Sequence, residues 1–268
     1  MLTEKKLITE FHASSLVEAF QMTLDWTTKA NDGGQFWFRG VNNSTLDLEP
    51  GSYWRSNYEE FGPLLDFVQE GGAFATIGEL DDWKTYYLAQ HHGIPTRLLD
   101  WTESFSAALF FALDNWNDSN LPCVWIVRPE CINQLSIGWE GLVTPEQNKE
   151  LECWLPKKIK EGQQKIVDSD GQWVYDSSLP LAIYPRKGNS RMIAQQGAFT
   201  IHGTKRIKLN EWIVESSLNH DKIICKVVLK GLPKEEALRQ LSTLGVRRHT
   251  MYPDLANYVS YLRETWGW

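Results

Sequence analysis

The 268-residue chain has no long hydrophobic run: the longest, Ala107 to Leu113, falls far short of the roughly 20 residues a membrane helix needs. No apolar stretch of signal-peptide length follows the lysines of the opening MLTEKKLITE, so a soluble, cytoplasmic protein with no membrane partner is expected. Cysteine is scarce. Cys123, Cys131, Cys153 and Cys225 form no C-x-x-C pair, which excludes a disulfide framework and predicts reduced thiols partly in the core. Positive charge is in deficit, with 27 Lys plus Arg against 34 Asp plus Glu and a net charge of −7. That excludes a uniformly basic nucleic-acid coat but leaves room for a local basic patch.

The common catalytic signatures are missing too. There is no G-x-x-x-x-G-K-[ST] loop for a P-loop NTPase, no G-x-G-x-x-G after a strand, and no G-x-S-x-G elbow. No H-E-x-x-H or paired Cys/His spacing supports zinc, and no metal is expected. His91 and His92 are adjacent, so on a helix or strand they point in different directions.

What is present reads as a folded protein. Apolar residues make up 42% and charged residues 23%, enough for a substantial core in one large domain or two small ones. Tryptophan is in excess at 13 residues, and each indole brings a large apolar face and an N–H that needs a partner when buried.

Hydrophobic spacing predicts a helix from near Ser15, with Ser15 and Glu18 as a capping box, ended by Asn31-Asp32-Gly33-Gly34. A strand over Gln35–Arg39, closed by Gly40, precedes a loop at 41–56. Helices are expected at 57–69, with Pro63 admissible only in a first turn, and at 80–90. A strand over Thr96–Trp101 leads to a buried helix capped by Thr102 or Ser104 and running to about Asp114. Cys123–Val127 follows as a strand. Residues 128–178 read as an irregular insertion or surface subregion. Strands then resume at Leu179–Tyr184, Ala198–His202 and Ile223–Leu229, with helices at Lys234–Thr243 and about Pro253–Glu264. Helices and strands mix without βαβ alternation, so the expected fold is α+β, with a mixed, largely antiparallel sheet and flanking helices.

Three segments carry chemistry. In Phe36-Trp37-Phe38-Arg39-Gly40, the Arg sits among bulky residues that want burial, and its guanidinium must meet an internal acid such as Asp100 or an anionic ligand. In Gln90 to Thr102, two His, an Arg, an Asp and two Thr surround Leu98-Leu99. There, Arg97–Asp100 is either an internal ion pair or, with the helix N-terminus, part of an anion-binding pocket wall. In Arg191 to His202, Gln195 and Gln196 precede Gly197, and these amides either satisfy a loop or face a ligand.

Together these segments resemble the FRG domain family, whose Phe-Arg-Gly motif stands here as Phe38-Arg39-Gly40. The stretch QHHGIPTRLLDWT (90–102), Ser106 to Ala112, RMIAQQGAF (191–199), and Tyr252-Pro253-Asp254-Leu255 look like further parts of it. The resemblance covers about 30–262 and implies a single domain over 1–268 of bacterial or phage intracellular origin.

A second, weaker resemblance is to ADP-ribosyltransferases of the Arg–Ser–Glu type. Arg39 is similar to their first motif, Asp100-Trp101-Thr102 with Ala108 and Phe111 to their second, and Gln195-Gln196-Gly197 stands where their third would fall. It implies an ADP-ribosyltransferase-like fold and NAD as cofactor. Taken with the residues' own chemistry, in which His91 or His92 offers a base and Arg97 and Arg191 add positive charge to the pocket, the expected catalytic residues are Arg39, His92, Asp100, Thr102 and Gln196, and the expected cofactor-binding residues are Arg39, His91, Arg97, Trp101, Arg191 and Gln195. Arg39 would grip pyrophosphate or ribose, Thr102 would bond the ribose and Trp101 would stack on nicotinamide. The chain departs from the pattern at Gln195 and Gln196, where the catalytic Glu is missing, and Asp100 is the nearest acid to substitute.

Three functions follow as expectations. The first is an NAD-using transferase, a toxin or defence effector that modifies a protein or nucleic acid. The second is a non-catalytic nucleotide- or nucleic-acid-binding module, using basic clusters at 157–160 and 247–249. The third is a hydrolase or nuclease with His91 or His92 as base beside Asp100.

Overall fold

The computed structural model describes residues 7–30, 33–74, 82–114, 116–117, 119–162, 165–167 and 173–268. The expected helix stop at Asn31-Asp32 and the start of the helix at 80–81 lie outside them. The strands are β1 (Thr9–Ala13), β2 (Trp37–Val41), β3 (Leu98–Thr102), β4 (Cys123–Val127), β5 (Lys165–Val167), β6 (Trp173–Asp176), β7 (Leu181–Ile183), β8 (Gly197–Ile201) and β9 (Ile224–Leu229). The helices are α1 (Leu16–Ala30), α2 (Phe61–Gly71), α3 (Trp83–His91), α4 (Phe105–Asp114), α5 (Pro129–Ile137), α6 (Pro156–Lys160), α7 (Ser190–Ala194), α8 (Leu209–Glu215), α9 (Lys234–Thr243), α10 (Arg248–Met251) and α11 (Leu255–Trp266).

The fold is α+β, with a 7-stranded sheet in the order β1-β9-β4-β2-β3-β8-β7. β1 lies parallel to β9 and every other neighbour pair is antiparallel. β4 reads CVWIV and is buried at every position, as a strand covered on both faces should be. Period-two alternation sorts its side chains and those of β2 between two cores. Phe38, Val124 and Ile126 face the core under α1, α4 and α9, with Ala19, Ala108 and Leu241. Trp37, Cys123, Trp125 and Val127 face the other, with Trp101, Ile132 and Ile213. A third core, around Tyr86, Leu98, Trp154 and Phe199, closes the β3–β8–β7 end.

Gly40 does not end its strand; β2 runs on to Val41. A Cβ at Gly40 would collide with the carbonyl oxygen of Ala108 and sit 2.6 Å from the amide nitrogen of Ala112. Glycine is there because the backbone of α4 rests directly on the strand. At the start of α1, the Ser15 hydroxyl accepts from the Glu18 amide at 3.2 Å, while the Glu18 carboxylate accepts from the Ser14 amide at 2.7 Å. The capping box is therefore present, with its return bond shifted one residue back.

The stretch 128–178 departs from the irregular reading. It holds α5, two 3-10 segments (Pro145–Gln147 and Lys149–Trp154), α6 and the β5–β6 pair. Its backbone turns are too short for a 3.6-residue pattern to show in sequence. Leu151, Trp154 and Leu155 are nevertheless wholly buried, with the Trp154 indole donating to the Leu179 carbonyl at 3.0 Å. Burial of such a side chain contributes on the order of 1.5–3 kcal/mol. No helix among the described residues is long and apolar enough to cross a membrane.

Candidate functional site

The sheet is nearly severed at its centre. β2 shares five register pairs with β4, and β3 five with β8, but β2 meets β3 only at Phe38 and Thr102. Beyond that pair the strands part, and Arg39 spans the gap. Its guanidinium donates to the Asp100 carbonyl at 2.8 Å and lies 3.8 Å from the Asp100 carboxylate. Burial pulls the Arg39 pKa below its ordinary value, and the charge on Asp100 opposes that shift.

The gap opens as a cavity of about 280 Å³, lined by Arg39, His91, Asp100, Thr102, Arg191 and Gln195 among others. The Asp100 side chain is 59% exposed and the Arg39 side chain 21%, so Arg39 is not consumed beneath the surface. Gln90 orients the acid, donating from Nε2 to Asp100 Oδ2 at 3.0 Å while its Oε1 accepts from the Thr96 hydroxyl at 2.6 Å. Arg191 lies 4.8 Å from the centre of the Tyr252 ring, which also lines the cavity. His91 titrates below its usual value, chiefly through burial and then through the nearby charge of Arg191, so it is neutral at pH 7.

Thr102 and Gln195 line the cavity, but their polar groups are largely engaged in building it. The Thr102 hydroxyl donates to the Gln195 carbonyl at 2.6 Å and accepts from the Ser104 amide at 3.0 Å, which spends its one proton. Gln195 Nε2 donates to the Met251 carbonyl at 2.9 Å, tying α7 to α10.

Four of the sequence expectations fall elsewhere. Arg97 does not pair with Asp100. It is buried against Glu60 at 2.5 Å and donates to the His202 carbonyl at 2.8 Å and to the Trp154 carbonyl. The apolar surroundings demand those partners, and none faces the cleft. His92 is exposed near Phe67, with ring centroids 6.3 Å apart, and does not line the cavity although its ring centroid lies 5.0 Å from that of His91. Gln196 is exposed at φ +47°, and its carbonyl accepts from the Glu103 amide at 3.0 Å rather than meeting the cavity. Trp101 borders the cavity, but its ring is 3% exposed and its N–H is given to the Thr200 hydroxyl at 3.1 Å. Its indole packs with Trp37 and Trp125 and is not offered for stacking.

The basic clusters are partly occupied as well. Lys160 pairs with Glu59 at 3.5 Å and Arg248 with Asp114 at 2.6 Å.

Residues not foreseen as site residues complete the walls: Tyr87, Gln90, Asn189, Met192, Phe199 and Tyr252. Gln90 and Tyr252 stood inside the motif stretches, and each is the first residue of its stretch. Tyr87 stacks on Phe199 with ring centroids 5.1 Å apart and planes at 10°, a pairing across two elements that no local pattern announces.

Residues 34–121 match the FRG domain, a stretch that includes both Arg39 and Asp100. No curated protein and no solved structure matches the chain.

Proposed function

We propose that the cleft between β2 and β3 binds a nucleotide, with NAD as the ligand and cleavage of its nicotinamide–ribose bond as the reaction. The observation that carries this reading is the pair at the strand gap: a partly exposed guanidinium, Arg39, beside the exposed carboxylate of Asp100. Arg39 and Arg191 supply two cations for phosphate oxygens. Tyr87 and Tyr252 give the cavity aromatic walls.

The chemistry needs little more than a placed anion. The bond between ribose C1′ and the nicotinamide nitrogen breaks, and nicotinamide leaves with the electron pair. The cationic sugar is held by the Asp100 carboxylate until an acceptor oxygen or nitrogen attacks C1′ and loses its proton. The acceptor is a protein or nucleic-acid target, or water. In this reading Gln90 and Thr102 are positioning residues. The protein acts in the cytoplasm of a bacterial or phage-infected cell, as a toxin or defence effector.

The test is release of nicotinamide from NAD by the purified protein, with and without cell extract. Asp100→Asn should lower turnover at least 100-fold with NAD binding retained, and Arg191→Ala should weaken binding about tenfold. Binding of NAD without turnover in any condition would favour the non-catalytic binding module. Turnover of a phosphodiester that is lost in His91→Ala and lowered in Asp100→Asn, with no release of nicotinamide from NAD, would favour the hydrolase.

A further inference from the structure

A second cavity, of about 380 Å³, lies directly behind the first. Tyr87, Asn189 and Met192 line both, so the two are separated by one layer of side chains. The second is built at the start of α3. The Asp82 carboxylate caps that helix, accepting from the Lys84 amide at 3.0 Å. Helix N-termini carry partial positive charge, and the side chains of Lys84 and Arg186 add two full charges at the rim, set against the carboxylates of Asp82 and Glu146 nearby.

Two buried hydroxyls on this wall have nothing to bond. Thr85 is 2% exposed and Tyr87 6% exposed, and neither Thr85 Oγ1 nor the Tyr87 hydroxyl has a hydrogen-bond partner among the described residues. An unpaired buried polar group costs stability, so proteins seldom keep two together without use. A methyl and a phenyl would fill the same space without the cost.

We infer that this second cavity is a subsite for the other half of a dinucleotide, a nucleoside monophosphate whose phosphate meets the Lys84, Arg186 and Thr85 side. This rests on the reading of the first cleft as the nicotinamide-ribose site. The ligand passes from one cavity to the other by the Asn189–Met192 turn, with Tyr87 as the partition between its two halves. Selection of a dinucleotide over a mononucleotide follows from the shared wall, because only a ligand with two nucleoside halves fills both cavities.

The experiment measures binding of NAD, nicotinamide mononucleotide and AMP by calorimetry, with wild type, Thr85→Val, Tyr87→Phe and Lys84→Ala. NAD should bind at least tenfold more tightly than the mononucleotide. Thr85→Val and Lys84→Ala should each weaken NAD and AMP about tenfold while leaving the mononucleotide unchanged. Because the two hydroxyls are unpaired in the free protein, Thr85→Val and Tyr87→Phe should melt no lower than wild type, which separates a ligand role from a structural one.

Equal binding of NAD and the mononucleotide, untouched by these variants, overturns the subsite and leaves the first cleft standing. AMP binding lost in Lys84→Ala, with no binding of the mononucleotide, supports the subsite and overturns the reading of the first cleft. Absence of binding by all three ligands overturns both.

Discussion

At the scale of single residues, position in the packing decides between two arginines that look alike in sequence. Arg39 and Arg97 each sit in an apolar strand context beside an acid. Arg97 is committed to Glu60, which precedes α2, and to two carbonyls. Arg39 has only the edge of Asp100 and a cavity in front of it. Nothing near Arg97 in the chain points to Glu60, so the partner was illegible, whereas the gap at Arg39 follows from a strand pair that fails to zip. Gly40 explains why its neighbour is fixed so firmly. With Gly40→Ala the new methyl would enter the space of the Ala108 carbonyl, and neither α4 nor β2 can yield without disturbing the core between them. Overpacking of this kind costs about 3 kcal/mol, and urea denaturation should show a loss near that size. A loss below about 0.5 kcal/mol would mean that α4 lifts from the strand freely.

At the scale of elements, β3 and α4 form a unit joined through Thr102. Its hydroxyl satisfies the Ser104 amide and holds the Gln195 carbonyl, so one side chain sets both the helix start and the far wall of the cleft. Thr102→Val keeps the shape and removes both bonds. It should cost about 2 kcal/mol in thermal or urea unfolding, while Thr102→Ser, which retains the hydroxyl, should cost about 0.5 kcal/mol or less. Equal losses in the two variants would place the value of Thr102 in its methyl group instead.

Elements of this kind are where sequence reading works best. β4 and α9 run over the expected residues, Cys123–Val127 and Lys234–Thr243, because alternation and helical spacing are strong there. β1, α5, α7, α8 and α10 carried no such signal. α7 and α10 are single turns, and α5 opens on Pro129 with Arg128 as the whole connection from β4. The site divided in the same way. His91 and Asp100 were visible because they sit in one dense motif, whereas the aromatic wall of Tyr87 and Phe199 joins two elements far apart in the chain. Gln196 stands outside the cavity wall because a left-handed turn between α7 and β8 carries it outward.

At the scale of the whole molecule, the response to acid is set by a buried polar chain that ties β3 to β8. The Trp101 indole donates to the Thr200 hydroxyl at 3.1 Å, and that hydroxyl lies 3.3 Å from His202 Nε2. The Thr200 hydroxyl, which accepts from Trp101, shares its remaining hydrogen-bonding capacity with the buried His202 ring. Burial lowers the His202 pKa to about 3, far below the usual value near 6.5 for an unfolded chain. The sign follows directly. Between these two values the unfolded chain holds a proton that the folded one refuses, so stability rises with pH across the window and is lost on acidification. At full slope the loss approaches about 1.4 kcal/mol per pH unit below pH 6.5, ending near pH 3. The paired carboxylate of Asp47, whose pKa is lowered beside Lys208, adds to the acid loss at the lower end of the range. His202→Gln keeps an acceptor but cannot titrate. Its unfolding free energy between pH 6.5 and 5 should therefore fall less steeply than that of the wild type, the remaining slope coming from His91, whose pKa burial also lowers. Parallel pH profiles for the two proteins would show that His202 takes up a proton in the folded chain as readily as in the unfolded one, and that its bond with Thr200 does not depend on a neutral ring.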